Sequence, residues 1–67
     1  MTAAQFETMG EIDAAALLGA RFRTLVAVGY DPTSALVVAT HIEIEVERAV
    51  ELVAGGCAPA LALRILL

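Results

Sequence analysis

The chain has 67 residues, a formal net charge of −4, one cysteine and a hydrophobic fraction of 60%. This length allows one small domain, and the single Cys57 excludes an internal disulfide. The acidic balance argues against binding of nucleic acid, which requires a basic face to contact the phosphates.

The hydrophobic residues do not form a membrane segment. The longest uncharged runs, 32–42 and 52–63, have eleven and twelve residues, whereas a spanning helix needs about 18 or more apolar residues. Glu7, Glu11 and Asp13 precede the first basic residue, which is the wrong charge order for a signal peptide. We therefore expect a cytoplasmic protein that does not contact a membrane.

The N-terminal residues carry little structural signal until residue 8. Residues 1–9 are interpreted as a lead-in, and 1–7 are expected to be frayed. Thr8 and Glu11 have the spacing of a capping box, in which each side chain accepts a hydrogen bond from the other residue's backbone N–H. This pair predicts the start of the first long helix.

Apolar residues at steps of three and four predict a helix from about 10 to 27. They are Ile12, Ala15, Leu18, Phe22 and Leu25. Arg21 and Arg23 are near the end of this helix, where cations suit the helix dipole. Gly29 is placed where a left-handed residue would end the helix.

Asp31 and Pro32 predict the start of a second helix over about 32–40. The Asp side chain supplies an N-cap oxygen, and Pro is tolerated at the first helical position because its missing N–H would be unpaired there. The residues that share the apolar face of this helix are Ala35, Leu36 and Ala39, with Val38 beside them.

The next segment fits two patterns. Residues 41–47 alternate polar and apolar, as in a strand, whereas from Val46 onward the apolar residues fall at helical steps. A lone strand in so small a chain would have no partner. We therefore assign 40–44 to a connection, with Ile42 and Ile44 exposed, and about 45–54 to a third helix.

Gly55-Gly56 is expected to end the third helix. The remaining segment, 57–67, is strongly apolar, and Pro59 allows it to form a short fourth helix. We expect this segment either to pack on the three-helix core or to lie in an interface.

The spacing of these elements resembles the ubiquitin-associated (UBA) domain, a compact three-helix module. That family has an apolar residue four before the turn Gly, a Met-Gly-Phe/Tyr loop and a small residue six on. Its third helix reads Val-x-x-Ala-Val-x-x-Leu-Leu. The matching residues here are Leu25, Val28-Gly29-Tyr30, Ala35, Val46, Ala49, Val50 and Val53. The resemblance implies an all-α UBA-like bundle over residues 10–56.

The same resemblance implies binding to ubiquitin or a ubiquitin-like protein. The implied contact surface comprises Val28, Gly29, Tyr30, Val53 and Ala54, with Glu51 at its rim. We expect an exposed Tyr30 ring to be the main anchor, the alternative being a core ring that caps the three helices. Val28 stands where the family has Met, and Val53-Ala54 where it has Leu-Leu, so the expected surface is smaller.

No residue pattern predicts catalysis. The only histidine and cysteine, His41 and Cys57, have nothing in the sequence to orient them as a pair, and His41 is expected in an exposed loop. Glu43, Glu45 and Glu47 lack the spacing of a calcium loop. We expect neither an enzyme nor a bound metal or cofactor.

An alternative function class is a structural or assembly domain. The apolar residues Leu61 to Leu67, together with an exposed Ile42 and Ile44, are expected to form a larger apolar surface than a monomer usually tolerates. This hypothesis predicts self-association, or binding of another protein through the same surface.

Overall fold

Five α-helices account for most of the chain, and no strand is present. The computed structural model describes all 67 residues and places the helices at α1 Ala3–Glu7, α2 Glu11–Ala27, α3 Pro32–Thr40, α4 Val46–Ala54 and α5 Pro59–Leu66. The prediction of an all-α fold with a short C-terminal helix is confirmed. The predicted bounds of the three central helices differ from the observed ones by at most one residue.

The N-terminal segment is not the frayed lead-in that we expected, because Ala3–Glu7 forms α1. The capping box of α1 is made by Thr2 and Gln5. The Gln5 N–H donates to Thr2 Oγ1 at 3.1 Å, and the Thr2 N–H donates to Gln5 Oε1 at 2.9 Å. The box predicted at Thr8 is wrong, since the Thr8 hydroxyl donates back to the Gln5 carbonyl. Thr8 thus closes α1, and Gly10 is the N-cap of α2 without a side-chain bond.

α2 ends in the glycine turn that the sequence predicts. Gly29 has a φ of 119°, which a residue with a Cβ adopts only with strain. The N–H of Tyr30 donates to the Leu25 carbonyl at 3.1 Å, and the N–H of Gly29 donates to the Val26 carbonyl at 3.1 Å. This pair of bonds is the Schellman motif, which satisfies carbonyls at the helix end. The turn brings α3 back against α2.

α3 begins as predicted at Asp31 and Pro32. Asp31 Oδ2 accepts a hydrogen bond from the Ser34 N–H at 3.1 Å, and Pro32 is the first helical residue. The hydrogen bonds from Ser34 lower the pKa of the Asp31 carboxyl, because they favour its charged form. The start of α3 is therefore held by a local side-chain cap.

The segment between α3 and α4 is a turn, and its alternating pattern directs side chains differently from what we expected. Ile42 is buried, with 7% of its surface exposed, and Ile44 is half-buried against the core. Glu43 and Glu45 remain exposed. The expectation that both isoleucines are exposed is wrong, because the turn folds over the core and points every second residue inward.

The turn between α4 and α5 has the same backbone as the turn between α2 and α3. Gly56 has a φ of 96°. The N–H of Cys57 donates to the Leu52 carbonyl at 3.0 Å, and the N–H of Gly56 donates to the Val53 carbonyl at 3.0 Å. This is a second Schellman motif, and it ends α4 as Gly55-Gly56 predicted.

The two halves of the molecule also share residues at a constant offset of 27. Leu-Val-Ala occurs at 25–27 and 52–54, and the residues that recur after it are Gly29 and Gly56, Pro32 and Pro59, and Ala35 and Ala62. We call α2 with α3 hairpin A, and α4 with α5 hairpin B. The molecule is thus a pair of related helical hairpins.

The hairpins stack helix on equivalent helix. α2 packs on α3 within hairpin A and α4 on α5 within hairpin B, while α2 packs on α4 and α3 on α5 between them. The buried apolar cluster at the centre contains Leu25, Tyr30, Ala35, Val38, Ala39, Ala49 and Ala62. α3, α4 and α5 each contribute alanine to this cluster, and the small side chains let these helices approach closely. α5 is therefore a full member of the core and not an appendage to a three-helix unit.

Candidate functional site

The predicted contact residues lie at the turn after α2 and in the C-terminal part of α4, and the structure brings these two regions together. A Cβ built on Gly29 would lie 4.0 Å from Val53 Cγ1. Gly29, Glu51 and Ala54 are exposed, whereas Val28 and Val53 are half-buried and pack on the core. We call these five residues the α2/α4 surface.

Tyr30 does not belong to this surface, and the expectation of an exposed Tyr30 anchor is wrong. Only 2% of the residue is exposed, and its hydroxyl donates to the Ala49 carbonyl at 2.8 Å. Burial raises the pKa of the Tyr30 phenol, with a smaller contribution from Cys57. The Schellman bond from Tyr30 N–H to Leu25 carries the residue back over the helix end, so the ring points inward. The alternative, a core ring that joins the helices, describes this tyrosine.

Without the ring, the α2/α4 surface is shallow. It offers the backbone of Gly29, the methyl group of Ala54 and parts of two valine side chains, beside the exposed carboxylate of Glu51. Such a surface can make a small apolar contact with an acidic edge. It contains no buried polar group or enclosed pocket that would position a small ligand.

Arg21 forms a buried polar cluster, and it does not interact with the end of its own helix as we expected. Its guanidinium points away from the end of α2 and donates to four carbonyl groups at the end of α3 and in the following turn. The acceptors are Ala39 at 3.1 Å, Val38 at 3.2 Å, His41 at 3.1 Å and Ile44 at 2.8 Å. Arg21 is 9% exposed and is the one buried charged residue. It therefore joins α2, the end of α3 and the connection to α4.

The physical reason is that α3 ends without a glycine. Its last carbonyls need other donors, and a cation suits the partial negative charge at a helix C-terminus. Burial lowers the pKa of Arg21, while the carboxylates of Glu45, Glu47 and Glu43 oppose that shift; a guanidinium remains charged at neutral pH. Two features of the sequence indicate this contact between Arg21 and the end of α3. The arginine lies within the apolar stripe of α2, and the next helix lacks a C-terminal glycine.

An apolar groove lies between α2 and α3 of hairpin A. It has a volume of about 470 Å³ and is lined by Leu18, Gly19, Phe22, Pro32, Thr33 and Leu36. None of these residues is charged, and Leu36 is 56% exposed. We call this feature the Leu36 groove.

The only histidine and the only cysteine of the chain are separated by α3. His41 follows the C-terminal end of α3, where its Nδ1 lies 2.7 Å from the Val37 carbonyl; it is exposed, as expected. Cys57 is close enough to Tyr30, just before α3, to influence its pKa. Nine helical residues separate the two ends by roughly 13 Å at 1.5 Å per residue. No group of three or more metal-ligating side chains is present.

No family model, curated protein or solved structure matches this chain. None of its helices is both long enough and apolar enough to cross a membrane.

Proposed function

We propose that the protein is a non-catalytic protein-interaction module of the cytoplasm. The observation that supports this most directly is the proximity of Gly29 to Val53, which places the turn after α2 beside the C-terminal part of α4. The separation of His41 from Cys57 favours the absence of a catalytic pair.

The proposed partner of the α2/α4 surface is ubiquitin or a ubiquitin-like protein. The support is the resemblance in spacing from Phe22 to Val53, together with the acidic charge of the chain. Ubiquitin carries an apolar patch with basic residues around it, so a small apolar surface beside Glu51 is complementary to it. Because Tyr30 is buried, the contact has no aromatic anchor, and we expect weak binding.

A titration of the isotopically labelled protein with ubiquitin tests this proposal. We expect saturable shifts in the backbone amides of residues 28–29 and 51–54. An Ala54→Arg variant should lose them, because it places bulk and positive charge against the basic rim. Ala16→Arg, a matched change at an exposed site elsewhere on α2, should bind as the unmodified protein does. Absence of shifts at millimolar ubiquitin, or shifts confined to other residues, would contradict the proposal.

A second candidate function is self-association. It is favoured by the exposure of three large apolar residues on α3 and α5: Leu36 is 56% exposed, and Leu61 and Ile65 are each 51% exposed. Soluble monomers seldom present extensive apolar surface without a use for it. Sedimentation at increasing concentration tests this candidate, and a single monomeric species throughout would eliminate it.

A further inference from the structure

The relation between the two hairpins identifies which apolar surfaces are unpaired. α3 and α5 are equivalent helices, since Pro32 corresponds to Pro59 and Ala35 to Ala62. Both alanines are completely buried, so the two helices turn the same face toward the core. Differences in exposure at other equivalent positions therefore report what covers each helix.

The first difference concerns the side of α3 that faces hairpin B. Leu36 lies on the α2 side of α3, in the Leu36 groove, and Ser34 and Val38 point to the other side, because residues two apart on a helix differ by about 200°. Since α3 contacts both α2 and α5, and Leu36 lies on the α2 side, the other side is left for α5. Val38 is completely buried, whereas its equivalent Ile65 is 51% exposed. Ser34 is half-buried.

The equivalent of Ser34 in hairpin B is Leu61, which is 51% exposed. Leu61 and Ile65 are four residues apart and form one strip, which we call the α5 strip. The α5 strip is equivalent to the side of α3 that carries Ser34 and Val38, which α5 covers. It is the continuation of the α3–α5 interface, and no further helix covers it.

The second difference concerns the opposite end of the stack. Leu36 of hairpin A is equivalent to Leu63 of hairpin B, which is half-buried and packs against the core. Leu36 itself is 56% exposed. Leu36 thus lacks the packing that partly covers its equivalent, Leu63. The α5 strip and the Leu36 groove are thus two apolar surfaces whose equivalents in the other hairpin are covered within the molecule.

We propose that copies of this chain stack head to tail, with the α5 strip of one copy packed in the Leu36 groove of the next. Stacked repeats need polar outer faces to stop them from growing, and both ends here are apolar. The contact joins different surfaces, so it is heterologous and leads to open chains or rings rather than a two-fold dimer. This inference rests on the second candidate function and specifies its geometry.

Complementation between two charged variants tests the stack. Leu36→Glu blocks the groove and leaves the strip intact, and Ile65→Glu does the reverse; both sites are exposed, so folding should be retained and is checked by circular dichroism. In sedimentation from micromolar to millimolar concentration, the unmodified protein should form species larger than dimers. Each variant alone should sediment as a monomer of 7.0 kDa, and their equimolar mixture should form a dimer through the one interface left intact.

The controls distinguish the stack from other modes of association. Ile12→Glu makes the same change at a residue that is 85% exposed and should associate as the unmodified protein does; Leu61→Glu replaces Ile65→Glu if the latter does not fold. A monomeric unmodified protein would overturn both self-association and the stack. Association that stops at a dimer, survives both substitutions or is not restored in the mixture would overturn the stack alone.

Discussion

The turns of hairpins A and B have one backbone geometry but different side chains. Both are Schellman turns with a positive φ at glycine and a proline three residues on. In hairpin A, Tyr30 is buried and Asp31 caps α3. In hairpin B the equivalent residues are Cys57, which is half-buried, and Ala58, which is exposed, and α5 has no side-chain cap. Glycine and proline therefore specify the turn, whereas the neighbouring side chains determine how strongly it is held.

This difference predicts that hairpin B opens before hairpin A. Local opening occurs where few buried contacts and side-chain bonds hold a segment. The equivalent positions in the two hairpins provide matched controls for the first two substitutions below.

Replacement of Tyr30 should have the largest effect. Tyr30→Ala removes a buried ring and its hydrogen bond to Ala49, and we expect the free energy of unfolding to fall by about 3–5 kcal/mol. That loss is comparable with the whole stability of a chain of this size, about 3–5 kcal/mol. Urea unfolding followed by circular dichroism measures it. The equivalent change Cys57→Ala should cost about 1 kcal/mol or less, and similar losses in both variants would contradict the comparison.

Replacement of Arg21 should have the next largest effect. Arg21→Leu removes the donors for four carbonyl groups at the end of α3 and in the following turn, and we expect a loss of about 2–3 kcal/mol in urea unfolding. Arg48 is the equivalent residue of hairpin B and is exposed, so Arg48→Leu should change stability by about 0.5 kcal/mol or less. Arg21→Lys should restore only part of the loss, because Lys lacks the planar fork. Equal losses at Arg21 and Arg48 would show that the carbonyl contacts contribute little.

A cap added to hairpin B should reduce the difference between the hairpins. Ala58 occupies the N-cap position of α5 without a capping side chain, and Ala58→Asp supplies the oxygen that Asp31 supplies in hairpin A. We expect a gain of about 1 kcal/mol in unfolding free energy, with slower amide exchange at the start of α5. Ala60→Asp adds the same charge inside the first turn and should gain less, because only the helix dipole then contributes. An equal gain from both variants would exclude capping as the cause.

The smallest effect concerns the pH dependence of hairpin A. The pKa of Asp31 is lowered from its ordinary value of 3.8, so the carboxylate stabilises the fold above pH 3.8 and this contribution is lost as the pH falls below it. Asp31→Asn keeps a cap that does not titrate. Thermal unfolding should therefore show a steeper decline in Tm on acidification for the unmodified protein than for the variant. Parallel curves would mean that Asp31 does not contribute through its charge.

The ends of the helices were predictable because they depend on residues that are neighbours in sequence. Gly29 ends α2, Asp31-Pro32 starts α3, and Gly55-Gly56 ends α4 within one residue of the predicted positions. Which capping box forms was not predictable, since Thr2 with Gln5 and Thr8 with Glu11 offer the same spacing and the chain uses the first pair. The recurrence of Leu-Val-Ala, Gly and Pro after 27 residues is visible when the chain is compared with itself. That comparison would have predicted the second hairpin.

The candidate surface was only partly predictable. The spacing placed Gly29 and Val53 in one surface, and the structure brings them together. The same spacing allowed the Tyr30 ring to be either exposed or buried in the core. Which of the two occurs depended on whether its hydroxyl could reach the Ala49 carbonyl across the core. Burial of Ile42 likewise depended on the path of the connection over the other helices.

The sequence by itself determined where the helices of this protein begin and end, because caps and glycine turns form from hydrogen bonds within a few residues. Only the tertiary structure decided which side chains those helices bury. Arg21 meets the end of α3, Tyr30 meets α4, and Leu36 and Ile65 are left uncovered because of how the two hairpins stack on each other. Such contacts depend on the relative positions of whole helices, and helical periodicity specifies a face without specifying its neighbour.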